Sequence, residues 1–221
     1  MNNMRLVWRN SGSGAEKALT PQGEWCASRA AFSLIEMLVV LAILLILMTS
    51  YYSFGSRNHQ KEQQKLCRAN LEKIYVALQI YANEHDGTFP VVNGAKTSEE
   101  PLDALVPRYT ADTQSFICPG SKDAPLPSGE LFRNRKISYA YFMGRLSSQS
   151  QEPLMSDRLV DTSPKNAGQI IFSTDGKPPG NNHHKYGGNF LFCDGRTEFS
   201  PSKASFSIVI PTNVVLLNPK P

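Results

Sequence analysis

Between Phe32 and Phe54 the chain reads F-S-L-I-E-M-L-V-V-L-A-I-L-L-I-L-M-T-S-Y-Y-S-F, apolar almost throughout, with Glu36 as its one charge. A helix rising about 1.5 Å per residue carries such a run across most of a roughly 30 Å hydrocarbon layer, so the stretch 32–54 predicts a membrane span. Upstream, Arg5, Arg9, Lys17 and Arg29 stand against Glu16 and Glu24. That mild positive excess predicts a cytoplasmic N-terminal flank, with everything after the span on the far side of the membrane. An ordinary secretory signal has a shorter apolar core followed by a small-residue cleavage site. Here no A-x-A pattern follows Met48; the small residues Ala27, Ser28, Ala30 and Ala31 precede the apolar run instead.

That inverted order is informative, because Ala31-Phe32-Ser33-Leu34-Ile35-Glu36 resembles the prepilin cleavage and methylation motif of type IV pilins and type II secretion pseudopilins. The resemblance implies that a prepilin peptidase cuts the Ala31-Phe32 bond on the cytoplasmic side and methylates the new amino terminus at Phe32. Ala31 stands where the family usually has Gly, and Ser53 where many relatives carry a helix-kinking Pro, which leaves Gly55 as the expected bend. A carboxylate in hydrocarbon costs several kcal/mol on most scales, so Glu36 calls for a partner or a polar surrounding. An amine created at Phe32 would lie one helical turn away, and a neighbouring subunit would offer an equivalent one. The family reading of Glu36 is the intersubunit pair that sets assembly register; the alternative places it at headgroup depth.

Past the span the helix is expected to continue. Arg57 to Lys65 is polar and free of Pro, and then Cys67, Leu71, Ile74, Leu78 and Tyr81 recur in steps of four and three, one face of a helix onto which a domain should pack. Asn83-Glu84-His85-Asp86-Gly87 closes it, with Pro90 preventing a restart. From Val91 onward, short apolar runs alternate with Pro, Gly, Asn and Asp. Strands are expected over 116–120, 137–144, 169–174, 189–192 and 205–210, and surface loops over 119–129 and 147–153. The predicted class is α+β: a long N-terminal helix, half transmembrane and half amphipathic, packed on a small antiparallel sheet in the pilin manner. Residues 1–31 form the leader, 32–54 the span, 55–87 the periplasmic helix and 88–221 a loop-rich β domain.

Near the C-terminus His184-Lys185-Tyr186-Gly187-Gly188-Asn189-Phe190-Leu191-Phe192-Cys193-Asp194-Gly195 resembles the H-x9-D-G element of prepilin-type proteins from planctomycetes and verrucomicrobia, as does the preceding Pro153 to Arg158. His184, Asp194 and Gly195 are expected to form a hydrogen-bonded turn lock. A cation site is the sharper alternative: major pseudopilins hold Ca²⁺ in a C-terminal loop, and Asp157, Asp175 and Asp194 are hard oxygen donors of the kind that ion takes. Zinc held by His183, His184 and Cys193 is the weaker metal reading, since that set lacks a compact two-plus-two spacing. Cys26 would leave with the leader, which puts Cys67, Cys118 and Cys193 in an oxidising compartment. A Cys67–Cys118 disulfide tying the helix to the first loop is expected, with Cys193 as strand packing.

No nucleophile, base or acid pair suggests catalysis, and His85-Asp86 reads as a helix terminus. The net charge is +4, but no stripe of Lys and Arg interleaves with aromatics, which argues against a nucleic-acid partner. The expectation is a non-enzymatic, single-pass inner-membrane subunit with its C-terminal domain in the periplasm: a pseudopilin of a type II secretion-like system. The resemblance implies as partners a prepilin peptidase, other pilin-like subunits in a helical filament, and an inner-membrane platform protein with a cytoplasmic ATPase. The alternatives are a type IV pilin for adhesion, motility or DNA uptake, and a membrane-anchored enzyme or metal-dependent binding protein.

Overall fold

The computed structural model describes residues 33–132 and 134–221. The expected Ala31-Phe32 cleavage site lies outside them. By internal contacts the chain divides into Met1–Ile46 and Leu47–Pro221.

Helix α1 runs Leu34–Glu84 and continues through Gly55 without interruption. Within the first unit its described residues, 34–46, expose their side chains all round. In the second unit the helix turns amphipathic at the positions that the spacing indicates. Cys67, Leu71, Ile74 and Leu78 are at most 1% exposed, joined by Ala77 and Ala82, whereas Tyr81 is half-buried. The helix ends as its sequence dictates: Asp86 and Gly87 take positive φ (51° and 77°), and the Gly87 amide donates back to the Ala82 carbonyl at 2.8 Å.

That buried stripe packs on a five-stranded antiparallel sheet formed by β1 (Tyr139–Met143), β2 (Pro153–Asp157), β3 (Gly188–Phe192), β4 (Thr197–Ser200) and β5 (Val215–Leu217), in the order β4-β3-β2-β1-β5. A short helix, α2 (Glu99–Leu102), and a 3-10 turn at Thr113–Phe116 lie between α1 and the sheet in sequence. The two-residue period of the strands divides their side chains between two cores. Tyr139, Tyr141 and Met143 of β1, Leu191 of β3 and Leu217 of β5 join the helix stripe. Ala140, Phe142, Phe190, Phe192 and Leu216 face the other way, where the loop residues Leu159, Ile171, Phe172, Ala204 and Ile208 cover them. In β2 the register slips between Pro153 and Met155, so that Leu154 and Met155 both reach the helix-side core. The period then resumes and brings Asp157, paired with Tyr139, to that same face.

Three of the expected strands are absent. Phe116 closes the 3-10 turn, and residues 169–174 and 205–210 contribute only single bridges, Ile170 to Lys203 and Ile208 to Lys165, while serving as the cover of the second core. Conversely, 153–157, 197–200 and 215–217 are strands. β2 opens with Pro153, a permitted first position because its missing N–H falls at the strand's start.

Candidate functional site

The N-terminal helix begins with the Ser33 carbonyl accepting from the amides of Glu36 (3.0 Å) and Met37 (3.2 Å). From Leu34 to Met48 every large apolar side chain is between 47% and 84% exposed. Leu34–Tyr51 is long and apolar enough to cross a membrane, and Glu36, also exposed, is its one acidic residue. So much uncovered apolar surface is stable in water only when lipid or other subunits cover it.

A second constellation is built in the head. Cys67 sits on the buried stripe of α1, Cys118 follows the Thr113–Phe116 turn, Asp157 ends β2, and His183 lies in the loop before β3. All four side chains are buried, and their ligand-type atoms lie within 4.8 Å of one another. The Cys67 thiol donates to Asp157 Oδ1 at 3.1 Å and lies 3.4 Å from the Tyr139 hydroxyl. His183 Nε2 is 3.2 Å from Asp157 Oδ2 and 3.4 Å from Cys118 Sγ. Around these four stands a shell of donors. Asn182 Nδ2 donates to Asp157 Oδ1 (2.9 Å), the Asn189 amide N–H to Oδ2 (2.8 Å), and the Gly120 amide to Cys118 Sγ (3.4 Å). Gly120 is glycine for a reason of space, since a Cβ there would meet the Asn182 carbonyl oxygen at 2.3 Å and His183 Nδ1 at 2.8 Å.

The electrostatics follow from this crowding. Burial would raise the Asp157 carboxyl, but the His183 imidazole and the donors around it outweigh burial and hold it at about 2. Burial likewise opposes the His183 imidazolium, yet Asp157 and Cys118 carry it up to about 10. Burial, with Cys118 and Asp157 beside it, pushes the Cys67 thiol well above the ordinary range. Burial also acts upward on Cys118, but hydrogen bonds from Cys67 and His183 bring it below that range. All four side chains are buried, and their donor atoms are close enough to hold an ion or one another.

At the other end of the chain, a model of the prokaryotic N-terminal methylation motif matches residues 26–52. The chain carries a prepilin-type N-terminus. No curated protein and no solved structure matches it. A motif of this type implies processing by prepilin peptidase and assembly with other pilin-like subunits, and the helix behind it is long and apolar enough to cross a membrane.

Several expected site residues are placed differently in the unit Leu47–Pro221. Cys67 and Cys118 do meet, but as free thiols, not as a disulfide, because the sulfurs engage Asp157 and His183. The three aspartates proposed for calcium are not brought together. Asp157 belongs to the buried cluster, Asp175 accepts from Ser173 Oγ (3.0 Å) and the Lys177 amide (2.9 Å) in its own loop, and Asp194 accepts from the Arg196 amide (2.9 Å). Among the described residues no hydrogen bond joins His184 to Asp194. Asp194-Gly195 forms the β3–β4 hairpin turn, with Gly195 at φ 86°, and the His184 ring packs against Gly176. Cys193 is buried in the helix-side core, as expected, but from the turn that follows β3 and not from a strand. Of the zinc trio considered from sequence, only His183 belongs to the cluster. In the sequence His183 stands out only as a member of that trio, beside His184 of the H-x9-D-G element. The signal for its true neighbours was the Cys at a buried helix position facing a strand that ends in Asp, and it becomes visible only once helix and sheet are in register.

Proposed function

We propose that this protein is a structural pseudopilin of a type II secretion-like system, acting through assembly into a periplasmic filament without turning over a substrate. The observation that carries the reading is the methylation motif at 26–52 running directly into an uncovered apolar helix whose one acidic residue is Glu36. Cutting before Phe32 gives each subunit an amine one turn from Glu36, on a segment that needs lipid until other subunits replace it. Pairing of one subunit's amine with the next subunit's Glu36 offsets the burial of both charges. A contact of that kind repeats without closure and so generates a helical filament. On this reading the single pass leaves residues 55–221 in the periplasm, and an inner-membrane platform protein with a cytoplasmic ATPase drives extrusion.

The test follows precursor size and N-terminal sequence in cells with and without prepilin peptidase. Peptidase-positive cells should contain a chain beginning with methylated Phe32; a chain still beginning at Met1 would overturn the reading. Deleting the gene should abolish export of a folded periplasmic protein. Normal export together with lost surface fibres would assign the subunit to a type IV pilus instead.

A further inference from the structure

We propose that Cys67, Cys118, Asp157 and His183 form a closed, four-coordinate zinc site that clips the amphipathic half of α1 to the sheet. In a tetrahedral site with Zn–S near 2.3 Å and Zn–N or Zn–O near 2.0–2.1 Å, neighbouring ligand atoms stand about 3.3–3.8 Å apart. The Cys67–Asp157, Asp157–His183 and Cys118–His183 separations are 3.1, 3.2 and 3.4 Å. These contacts link all four side chains, Cys67 through Asp157 Oδ1 and His183 through Asp157 Oδ2, and one ligand-type atom from each residue lies within 4.8 Å of the others. Closing the widest pair to tetrahedral spacing takes side-chain adjustments of up to about 1 Å.

The donor chemistry selects the metal. Two sulfurs and an imidazole are poor ligands for Ca²⁺ or Mg²⁺, which take oxygen donors, whereas a tetrahedral set of two sulfurs, one nitrogen and one carboxylate oxygen suits Zn²⁺. All four ligands come from the protein and all are buried, so no position remains for water. The site is therefore structural.

The surrounding donors fit a bound metal as well. Ligating sulfurs and carboxylates are oriented and stabilised by N–H and O–H groups behind them. The Gly120 amide points at Cys118 Sγ, the Tyr139 hydroxyl lies beside Cys67 Sγ, and Asn182 and Asn189 hold the Asp157 carboxylate. Two thiolates, one carboxylate and a neutral imidazole around Zn²⁺ leave one net negative charge, which these donors offset. Loading releases the thiol protons and the imidazolium proton to solvent.

The placement gives the ion a mechanical role. Its ligands come from α1, from the loop at 118, from the end of β2 and from the loop before β3. One ion thus joins four segments that lie far apart along the chain.

The full-length chain, extracted from membranes in mild detergent, should carry one zinc per chain by elemental analysis. Replacing the zinc with Co²⁺ should produce the sulfur-to-cobalt charge-transfer band and the intense visible bands of a tetrahedral centre. Cys118→Ser and His183→Gln should each lose the metal, whereas Cys193→Ser, outside the cluster, should retain it. Should the cluster variants fail to fold, wild-type protein still decides the question. Chelation should strip the ion, lower the melting temperature and expose two additional titratable thiols. A metal-free native chain whose melting temperature ignores chelators, a Cys67–Cys118 disulfide in the native protein, or full zinc occupancy in Cys118→Ser would each overturn the proposal.

Discussion

Leu71 stands one turn after Cys67 on α1, is fully buried, and belongs to the core that joins the helix to β1, β2 and β3. Truncating it to Ala removes the transfer free energy of most of a buried leucine and leaves a cavity, because the flanking Ile74 and Leu78 are themselves held by the sheet. The combined cost expected of such a change is about 2–5 kcal/mol. Val76, two positions past Ile74 on the same helix, is 58% exposed and provides the control. Val76→Ala should stay within about 0.5 kcal/mol of the parent. For a unit of this size, each kcal/mol moves the melting temperature by about 2–4 °C, so a loss of about 3 kcal/mol should appear as a drop of about 6–12 °C. The assay is a thermal melt of the full chain in mild detergent, followed by near-ultraviolet circular dichroism, which reports the packed tyrosines Tyr139 and Tyr141 in preference to helix content. If Leu71→Ala melts where Val76→Ala does, α1 is not packed on the sheet as described, and the assignment of its buried stripe fails.

Other expectations follow from the same packing and charge. Glu36→Val should leave cleavage before Phe32 intact while reducing recovery of assembled filaments at least tenfold; filaments of normal abundance, measured after shearing or cross-linking, would remove the role assigned to the carboxylate. Asp123 is 5% exposed and pairs with Arg158 (3.0 Å), itself 11% exposed. Asp123→Ala should therefore cost about 3 kcal/mol in chemical denaturation by removing the guanidinium's ion-pair partner and leaving it the Ile137 carbonyl (3.0 Å), and Asp123→Ala/Arg158→Met should recover much of it. Burial pushes the Cys193 thiol up to about 12 from an ordinary 9.0, with Arg145 pulling the other way. Above pH 9.0 the unfolded chain loses a proton that the folded chain keeps, so this residue's contribution to stability is complete below that pH. It should fall by up to about 1.4 kcal/mol per pH unit as the pH climbs toward 12. Cys193→Ala should make the alkaline limb of the stability profile shallower, and an unchanged limb would refute the assignment.

What could be read directly from the chain was whatever depends on neighbours in sequence. The apolar run after Phe32, the stripe of Cys67, Leu71, Ile74 and Leu78, and the stop at Gly87 are local patterns, because a helix satisfies its own backbone and its faces follow from a fixed angular step. β1 and β3 were legible as continuous apolar runs, and the turn at Asp194-Gly195 by its residues. β2, β4 and β5 were not: β2 opens on a proline, β4 has Phe199 as its one apolar residue, and β5 lies in a run broken by Asn and Pro. Partners elsewhere in the chain, not the segments themselves, make them strands. Residues 169–174 and 205–210 show the reverse, apolar enough for strands but used as cover.

The sequence by itself determined a prepilin-type motif, an apolar helix long enough to cross a membrane, and a continuation of that helix with one sticky face. Only the tertiary structure decided what that face meets. Cys67, Cys118, Asp157 and His183 are far apart along the chain, and no spacing rule connects them. The register of β2 against β1 aims Asp157 at the helix, and the close approach that Gly120 permits brings the His183 loop onto Cys118. Long-range packing, which a local pattern cannot encode, turned two expected disulfide partners and an expected calcium ligand into members of one buried cluster.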